Sequence, residues 1–429
     1  WSYLRFHTPI AGNDQVGTAA ADFSIEKDTI YAQNKWYAGD DLTFTFGFRY
    51  DKVLTPDYPH LNPKFLERNG IGNNQRFDFD LIQPRVSFNY DASSMFGDRV
   101  VDATIRGGRG LFLGRIPRVW YGNAYSRSGG LTDYNRFRSY SDVIGPMPAS
   151  STADPHFFWL GSTSNYEVRS AWYGDAQGTD PGFEAPSSWR TNIALDLLTT
   201  KGYDFTVEYN RDQINEGVFY QDLGITQTGT LADGRGTYTG AGDFWLSNTE
   251  LGDTEAITFI MKKEWNDVKF MTAYTNMDAS DVYALTSAQA ESAYGYQQRW
   301  DGENMSANRS SFMVEHKFLA TLDYTTQLLG DNDTRFSLVF VRKAGEPYSV
   351  VFDEPGYNSV TGNSRFYADY SLAYIPTGAS DPNVSFTSAA VATAVMAHVN
   401  STGLSGYKGS HVPKNAFNSP WYSRLDLRV

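Results

Sequence analysis

Apolar and polar residues alternate strictly along several stretches of the chain, and turn-forming residues follow each stretch. In LTFTFGFRYD, from Leu42 to Asp51, leucine, phenylalanine or tyrosine stands at every second position, with polar residues or glycine between them. A period of two predicts a β-strand with one apolar face. The preceding segment, DTIYAQNKWYAGDD, supplies an incoming strand and a tight polar turn. Together the two segments predict a β-hairpin.

The same unit recurs along the chain as two alternating segments around a short polar turn. These units lie near residues 82–115, 189–209, 257–274 and 312–340, and SPWYSRLDLRV begins a further strand. We count about eleven strands of roughly ten residues, the length that a tilted membrane-spanning strand requires.

The connections between the hairpins are much longer than the turns within them. Long loops are predicted at 116–186, 210–255, 280–310 and 345–418, where the alternation stops. Short turns on one side and long loops on the other are typical of bacterial outer-membrane barrels, with the long loops extracellular. Aromatic residues stand beside the short turns, where a girdle at the headgroup level belongs: Trp36, Tyr37, Tyr90, Tyr203, Trp265 and Tyr324. The pattern therefore predicts an all-β fold, a transmembrane antiparallel β-barrel. A soluble β-sandwich or propeller is the alternative.

One segment departs from the β pattern. Residues 388–400, SAAVATAVMAHVN, are alanine-rich and fit about three helical turns, with Gly403 as a stop signal. The segment is too short to span a bilayer. It predicts one short helix inside the last extracellular loop.

Composition narrows the class of protein. A formal net charge of −13 argues against a nucleic-acid partner, which requires an excess of Lys and Arg. Cysteine is absent, which excludes disulfides and thiolate metal sites in the chain. The mean hydropathy is −0.45, and no apolar run approaches the ~18 residues of a transmembrane helix. Barrel strands alternate apolar and polar residues, so they are compatible with these values. The aromatic content of 15% is also compatible with a barrel.

Chemistry-bearing motifs are weak in this sequence. The six histidines do not share metal-ligand spacing, and GDND at 330–333 suits a hairpin turn better than a calcium loop. There is no nucleophile elbow, P-loop or HExxH motif. We expect no enzymatic activity, no metal site and no cofactor.

The polar positions of the strands form the first candidate site. If the apolar partners face lipid, a mixed-charge set faces the lumen, where it can contact a plug, line a channel or hold a solute. Contact with a plug or a neighbouring wall residue is the commoner role for such groups. The main candidates are Arg49, Asp51, Arg85, Arg106, Asp196 and Glu208, accompanied by Gln83, Asn89, Arg190, Asn192 and Asp204.

Loop aromatics form the second candidate site. Exposed aromatic rings supply contact area at little entropic cost, which favours ligand contact. Packing within the folded loop is the alternative for each of these rings. The candidates are Trp120, Tyr121, Tyr125, Trp159 and Trp172.

Five strings in order along the chain resemble the barrel of Oar-like TonB-dependent receptors of Gram-negative bacteria. They are IYAQNKWYAGDDLTFTFGFRYD, LIQPRVSFNYD, IRGGRGLFLGR, AYIPTGASDPN and NAFNSPWYSRLDLRV. Each string alone is weak, whereas their order and spacing over most of the chain make the resemblance specific.

The resemblance implies a 22-stranded barrel in the outer membrane, filled by an N-terminal plug, with ligand uptake energised by the TonB complex. On this interpretation residues 1–429 are a partial barrel, and the plug and final strands lie outside the chain. The expected partners are outer-membrane lipid, the plug of the same protein, the TonB complex through the missing N-terminal part, and a surface or secreted polypeptide. Two other functions stay open: a scaffold or export conduit for a polypeptide, and a soluble β-rich binding protein.

Overall fold

The chain is mostly antiparallel β-sheet with few helices. The computed structural model describes residues 4–9, 21–128, 132–137, 166–169, 176–240, 242–301, 305–352 and 370–429.

Eleven strands form one path in which sequence neighbours are also sheet neighbours. They are β1 (Glu26–Tyr37), β2 (Leu42–Leu54), β3 (Phe79–Asp91), β4 (Val100–Leu113), β5 (Ser187–Thr199), β6 (Tyr203–Asp222), β7 (Asp253–Glu264), β8 (Val268–Asp281), β9 (His316–Leu329), β10 (Asn332–Lys343) and β11 (Tyr422–Arg428). Each is antiparallel to the next. Among the described residues β1 and β11 do not pair with each other, so the sheet is an open, barrel-like meander.

Shorter strands decorate this sheet and its loops. Phe244–Thr249 pairs with the far end of β6 and with Gln177–Thr179, and Asn308–Arg309 pairs with β8. Four small sheets or ladders join Leu4–Pro9 with Thr132–Phe137 and Tyr166–Arg169, Ile225–Thr230 with Gly236–Gly240, Pro347–Tyr348 with Phe417–Asn418, and Tyr374–Ile375 with Ser410–His411.

The helices are all short. They are α1 (Pro63–Asn69), α2 (Ser93–Phe96), α3 (Arg118–Ser126), α4 (Ala290–Gly295) and α5 (Ala389–Ser401), with 3-10 turns at Gly97–Arg99 and Gly403–Tyr407. In the described part of the chain, no helix has the length and apolar character needed to cross a membrane.

The predicted alanine-rich helix is α5, and the Ser388 hydroxyl caps it by accepting from the Val391 N–H at 3.2 Å. The expectation of a single helix was wrong, because α1 to α4 also form. Helices of four to nine residues are too short to show an amphipathic period in sequence.

Connections alternate between the two ends of the sheet. At one end they are short, at residues 38–41, 92–99, 200–202, 265–267 and 330–331. At the other end they are long, at residues 55–78, 114–186, 223–252, 282–315 and 344–421.

Two of the predicted loops begin inside strands. β6 continues to Asp222, and β8 continues to Asp281. The end of β6 pairs with Phe244–Thr249 and is largely buried, so both of its faces are packed. The loop was placed too early because residues 210–216 are polar except for Ile214, so the alternation stops there although the strand continues.

Opposed residues in the register separate the sheet into two faces. The apolar face carries large side chains that are well exposed: Ile30, Phe46, Phe48, Ile82, Val86, Ile193, Val207, Phe259, Phe318, Leu322, Phe340, Leu425 and Leu427. The polar face carries the opposite set and is described below. In β7 to β10 it also bears Ile260, Ala273, Leu319 and Val341.

The main buried cluster lies in the long connections. It brings together residues distant in sequence, among them Phe77, Tyr121, Phe183, Phe244 and Tyr294. The long loops therefore pack against one another as a layer at their end of the sheet.

Candidate ligand site on the polar face of the sheet

One cross-strand row defines the centre of the polar face. Gly47 on β2 lies opposite Arg85 on β3, and Arg85 lies opposite Gly110 on β4. Gly110 lies opposite Arg190 on β5, which lies opposite Asp212 on β6. Because directly opposed residues project to the same side, these five positions share one face.

This face is concave. It encloses a space of about 770 Å³, lined by residues from eight consecutive strands, β1 to β8. A volume of this size falls in the range of small-molecule sites in proteins. The sheet therefore curls toward its polar face and leaves its apolar face outside.

Glycines form part of the floor of this concavity. A Cβ added at Gly47 would stand 2.4 Å from the carbonyl oxygen of Ala32. A Cβ added at Gly108 would stand 2.8 Å from the carbonyl oxygen of Val86. A Cβ at Gly110 would lie 2.9 Å from Cγ of Arg85. Only glycine fits these strand positions without a shift, because atoms of the neighbouring strands already occupy the space that a Cβ would need.

At the long-loop end of the concavity, Asp51 is the centre of a buried polar network. Its carboxylate accepts from Arg49 Nε at 2.8 Å, from the Thr29 hydroxyl at 2.6 Å and from Gln83 Nε2 at 2.7 Å. Lys27 Nζ lies 3.4 Å away. Asp51 itself is only 1% exposed, so these partners compensate the cost of burying its charge.

Nearer the short turns, Arg106 joins three strands. Its Nε donates to Asp196 at 2.8 Å, and its Nη2 donates to Glu208 at 3.1 Å. Thr206 donates its hydroxyl to Asp196 at 2.7 Å, and Asn210 donates to Glu208 at 3.0 Å. The arginine and both carboxylates are thus committed to one another.

Between these networks lies a different arrangement around Phe112. The guanidinium carbon of Arg85 lies 4.3 Å from the centre of the Phe112 ring, and that of Arg190 lies 5.6 Å from it. Arg190 also pairs with Asp212 at 3.0 Å. Planar guanidinium groups stack favourably on aromatic faces, so the ring holds two cations in place.

The sequence did not single out Phe112. Counting in steps of two from Gly108 and Gly110 places Phe112 on the polar side of β4. An aromatic residue among polar ones was the available signal, because it indicates a contact rather than solvent exposure.

The register places all six principal candidates on the polar face: Arg49, Asp51, Arg85, Arg106, Asp196 and Glu208. Five of them belong to the Asp51 and Arg106 networks, and Arg85 belongs to the Phe112 arrangement. Contact of this set with a plug stays a prediction.

Three of the five loop aromatics, Trp120, Tyr121 and Tyr125, have a packing role in the structure. Tyr121 and Tyr125 are 3% and 6% exposed, and Trp120 packs against the same cluster. Burial raises the pKa of Tyr121 to about 12. These rings therefore pack within the loops, which was the alternative that the sequence allowed. Their contact with a ligand stays a prediction. Trp159 and Trp172 lie outside the described residues.

The part of the chain that the structure describes has no group of three or more His, Asp and Glu side chains that could hold a metal ion. His316 instead contacts aromatic groups at the long-loop end of the apolar face. Its Nδ1 lies 2.9 Å from the Tyr274 hydroxyl. Its ring stacks with that of Trp421, with 5.9 Å between the ring centres.

The fold and the site together describe an all-β protein with a barrel-like sheet and a ligand-sized concavity. No protein-family model and no curated protein matches the chain. Among solved structures, the chain is similar to a mutant of the ferric enterobactin receptor of Pseudomonas aeruginosa, with a TM-score of 0.36 and 10% sequence identity. The match covers 76% of this chain and 42% of the receptor, so the chain spans less than half of the receptor's length.

Proposed function

We propose that this chain is the barrel wall of a TonB-dependent receptor in the outer membrane of a Gram-negative bacterium. The receptor binds a ligand outside the cell and takes it up with energy delivered by the TonB complex. Outer-membrane lipid surrounds the apolar face, and a plug of the same protein fills the barrel.

The observation that carries the proposal is the opposite character of the two faces of the sheet. Large apolar side chains such as Ile82, Ile193 and Leu425 are 60%, 49% and 66% exposed on one face. An apolar surface of this extent is rare on monomeric soluble proteins and marks contact with lipid or protein. The other face is concave and polar, and the space within its curve is large enough for a solute.

The strands and connections support the same proposal. Most strands have 12 to 14 residues, enough to cross a bilayer at a tilt. The long connections pack at one end, as binding loops outside a cell do. The TonB part of the proposal is supported by the five sequence strings that resemble Oar-like receptors.

Adjacent residues on β5 offer a direct test of membrane orientation. The chain has no cysteine, so Ile193→Cys on the apolar face and Asn192→Cys on the polar face each introduce one label site. We would label each variant of the full-length protein with bimane in lipid nanodiscs, after replacing any cysteine outside this chain by serine. Brominated lipid should quench the Ile193→Cys label strongly, whereas aqueous iodide should quench the Asn192→Cys label.

Equal quenching of the two labels by brominated lipid would contradict the proposed orientation. No quenching of either label by brominated lipid, together with partition into the aqueous phase without detergent, would favour the soluble binding protein instead.

Uptake is tested in the bacterium that encodes the protein. Deletion of the gene and deletion of the TonB gene should abolish growth on the same nutrient, because transport needs both proteins. If deletion leaves growth on every nutrient unchanged and strands a secreted protein in the periplasm, the export conduit is the correct function.

A further inference from the structure

Arg85 differs from the other arginines of the polar face in its partners. Arg49 is paired with Asp51, and Arg106 is paired with two carboxylates. Arg85 donates to the side-chain oxygen of Gln83 at 3.3 Å, and it has no carboxylate within salt-bridge distance among the described residues. It is also exposed, so its charge faces the concavity.

Arg190 brings a second charge to the same place. Both guanidinium groups lie over the Phe112 ring, and Asp212 is the single carboxylate paired with either of them in the described residues. The Arg190 side chain is 61% exposed despite that pair. The arrangement thus presents two positive groups and one negative group to the concavity.

The geometry also prepares the arginines for binding. Contact with the Phe112 ring restricts the Arg85 guanidinium at 4.3 Å, so less of its side-chain entropy remains to be lost when a ligand binds. The missing side chain at Gly110 lets Arg85 and Phe112 pack over the backbone, because an added Cβ would stand 2.9 Å from Cγ of Arg85 and 3.1 Å from the Phe112 ring. A guanidinium presents paired N–H donors that match the two oxygens of a carboxylate.

We infer that Arg85, Phe112 and Arg190 bind a carboxylate group of the solute that enters the concavity. The inference rests on the proposed function, because the bound carboxylate belongs to the solute that the receptor takes up. Arg85 makes the principal charge-assisted contact, and Arg190 adds a second contact while keeping its pair with Asp212.

Succinate and its neutral analogue succinamide are suitable probes, since they have similar shape and differ in charge. Binding is measured by titration of the full-length protein in nanodiscs, with the bimane label on Asn192→Cys as reporter. Succinate should bind, succinamide should bind much more weakly, and added NaCl should weaken succinate binding because the site is open to solvent.

The key variant is Arg85→Gln, which should weaken succinate binding by about tenfold or more. Arg85→Lys should retain part of the affinity, because it keeps the charge and loses the paired donors. Arg335→Gln is the matched control: Arg335 on β10 is exposed, pairs with Asp323 at 2.9 Å and is not among the residues that line the concavity, so its removal should leave succinate binding unchanged. Circular dichroism and heat-modified gel mobility report whether each variant folds.

Several outcomes would overturn the carboxylate site. Equal binding of succinate and succinamide, wild-type affinity in folded Arg85→Gln, or binding of inorganic phosphate in place of succinate each contradicts it. Binding of succinate only after the plug is deleted would also contradict it, because the intact receptor would then not hold the solute at this site.

The two proposals fail separately. Quenching of the Ile193→Cys label by lipid without succinate binding removes the carboxylate site and leaves the receptor. Succinate binding that depends on Arg85 without lipid quenching keeps the site and removes the receptor.

Discussion

Arg106 on β4 donates from Nε to Asp196 on β5 at 2.8 Å, and this pair joins two neighbouring strands through residues that are 90 positions apart in sequence. The same guanidinium also reaches Glu208 on β6 at 3.1 Å. A single cation thus holds two carboxylates on neighbouring strands, and its loss would leave them facing each other.

The first prediction concerns this cation. Arg106→Gln should lower the free energy of unfolding by about 1 kcal/mol, a modest value because the group is partly exposed to water. The measurement is urea denaturation of the purified protein in detergent. Adding Glu208→Gln to Arg106→Gln should recover part of the loss, since it removes one of the two repelling charges. A double variant that is less stable than Arg106→Gln would contradict this account.

The second prediction concerns the buried network of Asp51. Asp51→Ala removes the acceptor of Arg49, Thr29 and Gln83 and should cost about 3 kcal/mol, as expected when one partner of a buried ion pair is removed. Asp51→Asn keeps one acceptor oxygen and should cost less. Denaturation midpoints measure both. Wild-type stability in Asp51→Ala would show that water replaces the lost partner.

The third prediction concerns pH dependence at Lys414 in the last long loop. Lys414 is 2% exposed, and its ammonium lies 3.3 Å from Asp281. Burial lowers the pKa of Lys414 against the opposing attraction of Asp281, and the charge of Arg299 acts in the same direction as burial.

Because the folded protein releases this proton more readily than the unfolded chain, the unfolded chain binds more protons at pH values between the lowered pKa and the ordinary value of 10.5. The contribution of Lys414 to the free energy of unfolding should therefore rise with pH across that window. Lys414→Met should remove this rise, which denaturation at a series of pH values measures. An unchanged slope in Lys414→Met would assign the effect to other groups.

The fourth prediction concerns the floor of the concavity. Gly108→Ala places a methyl group 2.8 Å from the backbone oxygen of Val86, which cannot move without disturbing the pairing of β3 and β4. We expect a loss of about 1 to 3 kcal/mol in stability. Gly378→Ala is the matched control, because nothing lies within 4 Å of its added Cβ. Equal stability of the two variants would show that the strand adapts at no cost.

Part of the fold was predictable because β-strands impose a period of two. Alternation at Leu42–Asp51 and around the tight turns predicted hairpins, and β2 has the predicted start. The end of β6 was missed, since the polar run at residues 210–216 interrupts that period. The short helices were missed because four to nine residues contain too few turns to show amphipathicity.

The sequence predicted the face of the sheet on which the candidate residues lie, but it did not predict their contacts. Polar positions such as Arg85 and Arg106 were assigned to one face from alternation, and the register places them together. Their partners depend on which strands are neighbours, and the Arg106 to Glu208 contact spans 102 residues of sequence.

By itself, the sequence determined the all-β character of this protein, the hairpins and the chemical difference between the two faces, because these follow from local alternation and turn residues. Only the tertiary structure decided that Arg49 and Arg106 pair with carboxylates while Arg85 has no such partner among the described residues. It also decided that Tyr121 and Tyr125 pack inside the loop layer. The physical reason is that ion pairing and burial depend on which distant segments meet, and sheet register sets those meetings.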